Sequence, residues 1–77
     1  MKGGECLFSL RYKKLGARIA YYRKLAGLTQ QQLASILGIS ASYMSSIERG
    51  VSQGQTMALL WSISDTLGIK IEDLLKE

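Results

Sequence analysis

Residues 29–50, TQQQLASILGISASYMSSIERG, hold two short helical patterns that meet at one glycine, Gly38. The first pattern opens at Thr29, with Gln32 three positions on. At that spacing the two side chains satisfy orphan backbone N–H groups of the first turn reciprocally. Leu33, Ala34 and Leu37 then mark one helical face. Gly38 takes positive φ at no steric cost, which suits a helix end, and Ser40 is placed to cap the helix that follows. In that second helix Met44 and Ile47 point inward, while Ala41, Ser42, Ser45 and Ser46 fall on other faces. Two helices joined by a turn of about three or four residues, the second with a small, polar outer face, describe a DNA-reading helix-turn-helix.

The ordered motifs resemble the lambda repressor and Cro superfamily, the XRE family. That family shows GLTQ, then LA, then a Gly–apolar–Ser turn, then an apolar–Ser–x–apolar–Glu–x–Gly ending. This chain has Gly27-Leu28-Thr29-Gln30, Leu33-Ala34, Gly38-Ile39-Ser40 and Met44-Ser45-Ser46-Ile47-Glu48-Arg49-Gly50. Leu15-Gly16 with Ile19 and Arg23 is similar to the family's first helix, and Leu67-Gly68-Ile69 with Leu74-Leu75 to its last two. The resemblance covers about residues 12–76. It implies an all-α, five-helix, lambda-repressor-like DNA-binding domain whose partners are double-stranded DNA and a second copy of the chain. The family loop before helix 4 usually carries a proline. Here Gln55 stands near that place, and the loop is one residue longer than common.

Composition sets outer limits. Seventy-seven residues make one small domain. The single Cys6 excludes an internal disulfide and favours a reducing, cytosolic setting; the resemblance implies a prokaryotic or phage-encoded, nucleoid-associated protein of the cytoplasm. No apolar run reaches spanning length, and the N-terminus lacks the apolar stretch of a secretory signal. Net charge is +4, unevenly placed: residues 1–28 hold seven of the ten basic residues and one acid, Glu5, whereas residues 29–77 hold three basic residues and five acids. A basic front suits a first helix lying near phosphates; an ordinary solvated helix surface explains it as well.

Residues 1–8, with Gly3-Gly4, read as a loose arm and residues 9–77 as the folded domain. Phe8, Tyr12, Leu15, Ile19, Tyr22 and Ala26 form one helical stripe, with Ser9 as its N-cap and Gly27 at its end. Helix 2 runs about 30–37 and helix 3 about 41–49. Residues 50–55 form a loop. Thr56 caps a fourth helix carrying Met57, Leu60, Trp61, Ile63, Ser64 and Leu67, which Gly68 stops. A short fifth covers about 71–76.

A DNA reader needs phosphate anchors for register and base contacts for sequence. Gln30, at the first turn of helix 2, lies where backbone N–H groups and the positive helix end favour a phosphate oxygen; the resemblance implies the same role. Thr29, Ser40, Tyr43 and Arg49 complete the phosphate-binding set. Arg11, Lys14 and Arg18 add looser contacts or form a solvated face. The resemblance further implies that Arg23 and Glu48 pair between helices 1 and 3, and that Ala41, Ser42, Ser45 and Ser46 read bases. These four side chains are short, and the helix has no Arg, Lys, Gln or Asn before Arg49. The strongest base pairings are therefore absent there, which shifts discrimination toward DNA shape and spacing and makes a dimer useful. Leu59, Ile71 and Leu75 are candidates for the dimer contact or simply complete the core; Phe8 and Leu10 offer an arm exchange instead.

The chain has no His, no phosphate-cradling Gly loop and no nucleophile elbow, so enzyme activity is not expected. One Cys without His builds no zinc site, and no metal or cofactor is expected. The domain carries no appended ligand-binding or cleavage segment in this sequence, so a signal is expected to act through dimerisation, expression level or a partner. Repression by promoter occlusion is the plainer expectation. The alternative is an antitoxin or other protein-interaction module using the same helical domain, with a protein partner in place of DNA.

Overall fold

The computed structural model describes residues 7–52 and 55–76, with side chains from Leu10 onward. Five helices follow one another: α1 Leu7–Leu25, α2 Gln30–Leu37, α3 Ala41–Arg49, α4 Met57–Leu67 and α5 Ile71–Leu75. The lambda-repressor-like, all-α architecture expected from the sequence is the one observed, and no strand occurs among the described residues.

The helix boundaries follow from local chemistry. At α2, Thr29 Oγ1 accepts from Gln32 N at 3.0 Å and Gln32 Oε1 accepts from Thr29 N at 2.8 Å. This is the reciprocal capping box. The helix ends at Gly38, whose φ of 74° is left-handed. Its N–H reaches Ser35 O at 3.2 Å, and Ile39 N reaches Ala34 O at 3.0 Å, so carbonyls that the helix cannot satisfy find donors. Two residues on, Ser40 Oγ accepts from Tyr43 N at 3.0 Å and starts α3. Thr56 Oγ1 does the same for α4, accepting from Leu59 N at 3.1 Å.

Every helix sends at least one side chain into one core: Ile19 from α1, Leu33 and Ala34 from α2, Met44 and Ile47 from α3, Leu60 and Ile63 from α4, Leu74 from α5. Burying an aliphatic side chain of this size contributes roughly 1.5–3 kcal/mol. The eight together supply the main drive for a chain that is too small for a second core. α3 packs on α1 and α2, α4 touches both of those helices, and α5 closes against α1 and α4.

Two expectations are corrected, and the buried face of α4 is now defined. α1 begins at Leu7, so Ser9 lies inside the helix and is not its N-cap. Ala26 falls beyond the end of α1 and is exposed, ending the apolar stripe at Tyr22. Met57 and Trp61 of α4 are 53% and 57% exposed, because the buried face of that helix is carried by Leu60, Ile63 and Ser64. The expected arm at residues 1–8 lies outside the described residues for its first six positions. The side chain of Phe8 is likewise outside them.

Candidate nucleic-acid interface

α3 is held from two directions. Along its inner face Met44 and Ile47 are fully buried. Along its flank, α1 approaches so closely that a Cβ on Gly16 would stand 2.5 Å from Glu48 O and closer still to Ile47 O. At the C-terminal end, Gly50 (φ 75°) lies against the backbone of Lys13, where a Cβ would meet Lys13 Cα at 2.5 Å. Only glycine fits both the left-handed conformation and the contact.

The polar side of this clamp is a network around Glu48. Arg23 Nε donates to Glu48 Oε2 at 2.6 Å and Arg23 Nη2 to Glu48 Oε1 at 3.1 Å, a two-point guanidinium–carboxylate pair. The side chains are 9% and 5% exposed. Arg23 Nη1 donates to the carbonyl of Leu28 at 2.7 Å, tying the α1–α2 connection to the same group. Gln30 Nε2 also donates to Glu48 Oε1, at 2.9 Å. One carboxylate thus links α1, the start of α2 and the end of α3. The charge pair is dry enough that losing either partner leaves a buried charge uncompensated.

The remaining site residues fall into two groups. Ala41, Ser42, Ser45 and Ser46 occupy neighbouring rows of α3 away from Met44 and Ile47; Ser42 is exposed and the other three are half-buried. Ser46 Oγ donates to Ser42 O at 3.2 Å, so its hydrogen is spent inside the helix and its lone pairs remain as acceptors. Thr29 and Ser40 use hydroxyl oxygen as cap acceptors, a bond that does not consume the hydroxyl hydrogen. Tyr43 is half-buried against the core. Arg49 is exposed at the last position of α3. Ser40 and Arg49 bracket the helix and are separated by about 13 Å at 1.5 Å per residue. They therefore address different parts of any bound surface.

Three features were not drawn from the sequence. Gln30 is held by Glu48 rather than standing alone at its helix start. Arg23 also bonds the Leu28 carbonyl. Arg18 is half-buried, and its Nη1 is shielded from solvent without a hydrogen-bond partner among the described residues, so it is not a solvated surface residue. The mid-helix Gly16 was the legible sign of the first close approach, since glycine inside a helix costs about 1 kcal/mol relative to alanine and usually has a packing reason.

No group of metal-binding side chains occurs among the described residues, and none of their helices is long and apolar enough to cross a membrane.

Residues 19–74 match the family described as Helix-turn-helix. The HTH-type transcriptional regulator SinR of Bacillus subtilis is 36% identical over 63 residues, 82% of this chain and 57% of SinR. The chain therefore spans little more than half the length of that relative. The restriction-modification controller protein C.AhdI from Aeromonas hydrophila superposes with a TM-score of 0.80 at 26% identity, covering 90% of this chain and 99% of the controller. The structure of SinR, master regulator for biofilm formation, in complex with DNA superposes with a TM-score of 0.75 at 35% identity, covering 80% of this chain and 98% of that one.

Proposed function

The chain belongs to the helix-turn-helix family, and from that premise we propose that it is a sequence-specific, double-stranded DNA-binding transcriptional regulator. It acts as a homodimer, places α3 in the major groove and represses by occluding a promoter. The observation that carries the reading is the clamp on α3. Gly16, Gly50 and the Arg23–Glu48 pair fix this helix from behind, while Ala41, Ser42, Ser45 and Ser46 stay on its free side. A rigid helix with short side chains comes close to base edges.

Phosphate anchoring follows from the ends of α2 and α3. Gln30 spends one amide hydrogen on Glu48 and keeps the second, with its carbonyl, for an outside partner. It is thereby oriented before binding, at the positive end of α2. Thr29 and Ser40 donate their hydroxyl hydrogens, Tyr43 its phenol and Arg49 its guanidinium to phosphates along the groove.

Serine and alanine read bases weakly, so two half-sites on one body are needed to give useful affinity. Of the three dimer candidates read from sequence, Leu59 and Ile71 pack against the core, and only Leu75 is exposed, at 46%. Met57 and Trp61 lie one turn apart on α4, each more than half exposed. This pair is the apolar patch that a second copy covers. Location in the cytoplasm follows from the DNA target.

Fluorescence-anisotropy titration of duplex DNA across a salt series tests the reading, with sedimentation analysis run alongside. The expected result is a log Kd that rises linearly with log salt and a two-to-one complex. Absence of DNA affinity at low salt, with a stable protein complex in its place, overturns it in favour of the antitoxin or protein-interaction role.

A further inference from the structure

A groove of about 200 Å³ lies between the first half of α1 and the end of α5. It is lined by Tyr12, Leu15, Leu74 and Leu75 with Arg11, Lys14 and Lys76. Its surface is mostly apolar, and among the described residues the charged lining side chains are all cations. Leu74 is buried and Leu75 is 46% exposed, so the floor runs from the core out to solvent. Lys14 is exposed. Lys76 is 67% exposed and pairs with Asp73 at 3.5 Å, a contact that exchanges at little cost.

The groove does not belong to the proposed DNA face. On α1 the side toward α3 is marked by Lys13 and Gly16. At 3.6 residues per turn, positions 11, 14 and 15 lie on roughly the other side of that helix. A nucleic-acid backbone offers phosphates to cations but no apolar ridge to fill a leucine floor. An acidic amphipathic helix offers both, with apolar side chains at i, i+3 and i+4 for the floor and carboxylates beside them for the rim. We propose that the α1–α5 groove is a docking site for an acidic amphipathic segment of a partner protein, bound without covering α3.

The test is an amide NMR titration of the whole chain with a designed helical peptide of about 15 residues, carrying Leu at the helical spacing and Glu or Asp between. A matched peptide with Gln and Asn in place of the acids is the control. The expected result is saturable shifts at Tyr12, Leu15, Leu74 and Leu75, with affinity about tenfold weaker for the neutral peptide, the sum of a few exposed ion pairs. A Lys14→Glu, Lys76→Glu variant that keeps the parent melting temperature is expected to lose the acidic peptide by a similar factor and to leave the neutral one unchanged. Equal affinity for both peptides, or shifts scattered away from the groove, overturns the proposal. Groove shifts that grow with protein concentration and no peptide assign the surface to a second copy instead. The same shifts on adding duplex DNA assign it to nucleic acid.

Discussion

Gly16 rests against the last turn of α3, with a Cβ at that position falling 2.5 Å from the carbonyl oxygen of Glu48 and 2.8 Å from its carbon. The obstacle is backbone, not the end of a flexible side chain, so α1 and α3 must separate to admit a methyl group. The residue whose carboxylate organises the polar network is thus also the residue whose main chain fixes the helix spacing.

Gly16→Ala measures that contact. Helix propensity alone favours alanine by about 1 kcal/mol, whereas overpacking costs typically 1–3 kcal/mol. Since two carbonyls block the site, the steric term is the larger. A net loss of about 1–2 kcal/mol is expected, read as a melting temperature lower by several degrees, at about 4–8 °C per kcal/mol for a domain of this size. A more stable Gly16→Ala protein contradicts the close approach.

Glu48→Gln leaves the Arg23 guanidinium buried without its counter-charge, and a loss of about 3 kcal/mol in urea denaturation is expected. The pair Arg23→Met, Glu48→Leu removes both charges and is expected to recover most of that stability. It should not recover DNA affinity, because Gln30 has lost the carboxylate that orients it. Full recovery of DNA affinity in the double variant shows that the network serves only the fold.

Gln30→Ala and Arg49→Ala separate the two kinds of phosphate contact proposed for the ends of α2 and α3. Loss of the neutral amide is expected to weaken DNA binding by about 1 kcal/mol on all sequences alike, with an unchanged slope of log K against log salt. Loss of Arg49 should lower that slope by about 1. Identical slopes in both variants remove Arg49 from the phosphate set.

Ser46→Ala tests what the bond from Ser46 Oγ to Ser42 O does. With its hydrogen used inside the helix, the hydroxyl would meet a base as an acceptor under the proposed reading, its partner being the exocyclic amino group of adenine or cytosine in the major groove. The variant is expected to fold with equal or slightly greater stability, since alanine is the better helix former. At one base position of the site it should lose its preference for those two bases. A crystal structure of the complex with Ser46 Oγ on guanine O6 or thymine O4 contradicts the assignment.

Much of this architecture is legible in the chain because its signals are local. Thr29 with Gln32, Gly38 with Ser40, and Thr56 with Gly68 set the limits of α2, the start of α3 and the limits of α4, and each limit is where the caps place it. The start of α1 is not legible in the same way: Ser9 has the chemistry of a cap, yet the helix continues through it to Leu7. The exposure of Met57 and Trp61 was hidden for a different reason. α4 is apolar on more than one side, so periodicity does not say which face meets the core. In the candidate site, the Arg23–Glu48 pair follows from the family resemblance. The bond from Gln30 to the same carboxylate, 18 positions away, is a tertiary contact with no local mark, as is the α1–α5 groove.

The proposed regulator stands or falls on whether the free side of α3 reads duplex DNA as one half of a symmetric pair. Selection of bound sequences from a random duplex pool tests it most directly, run beside a Gln30→Ala, Ser42→Ala, Ser46→Ala variant. Enrichment of a two-fold symmetric motif with half-sites about 10 base pairs apart, lost in the variant, is expected. No enrichment at low salt, or an identical motif from the variant, contradicts it.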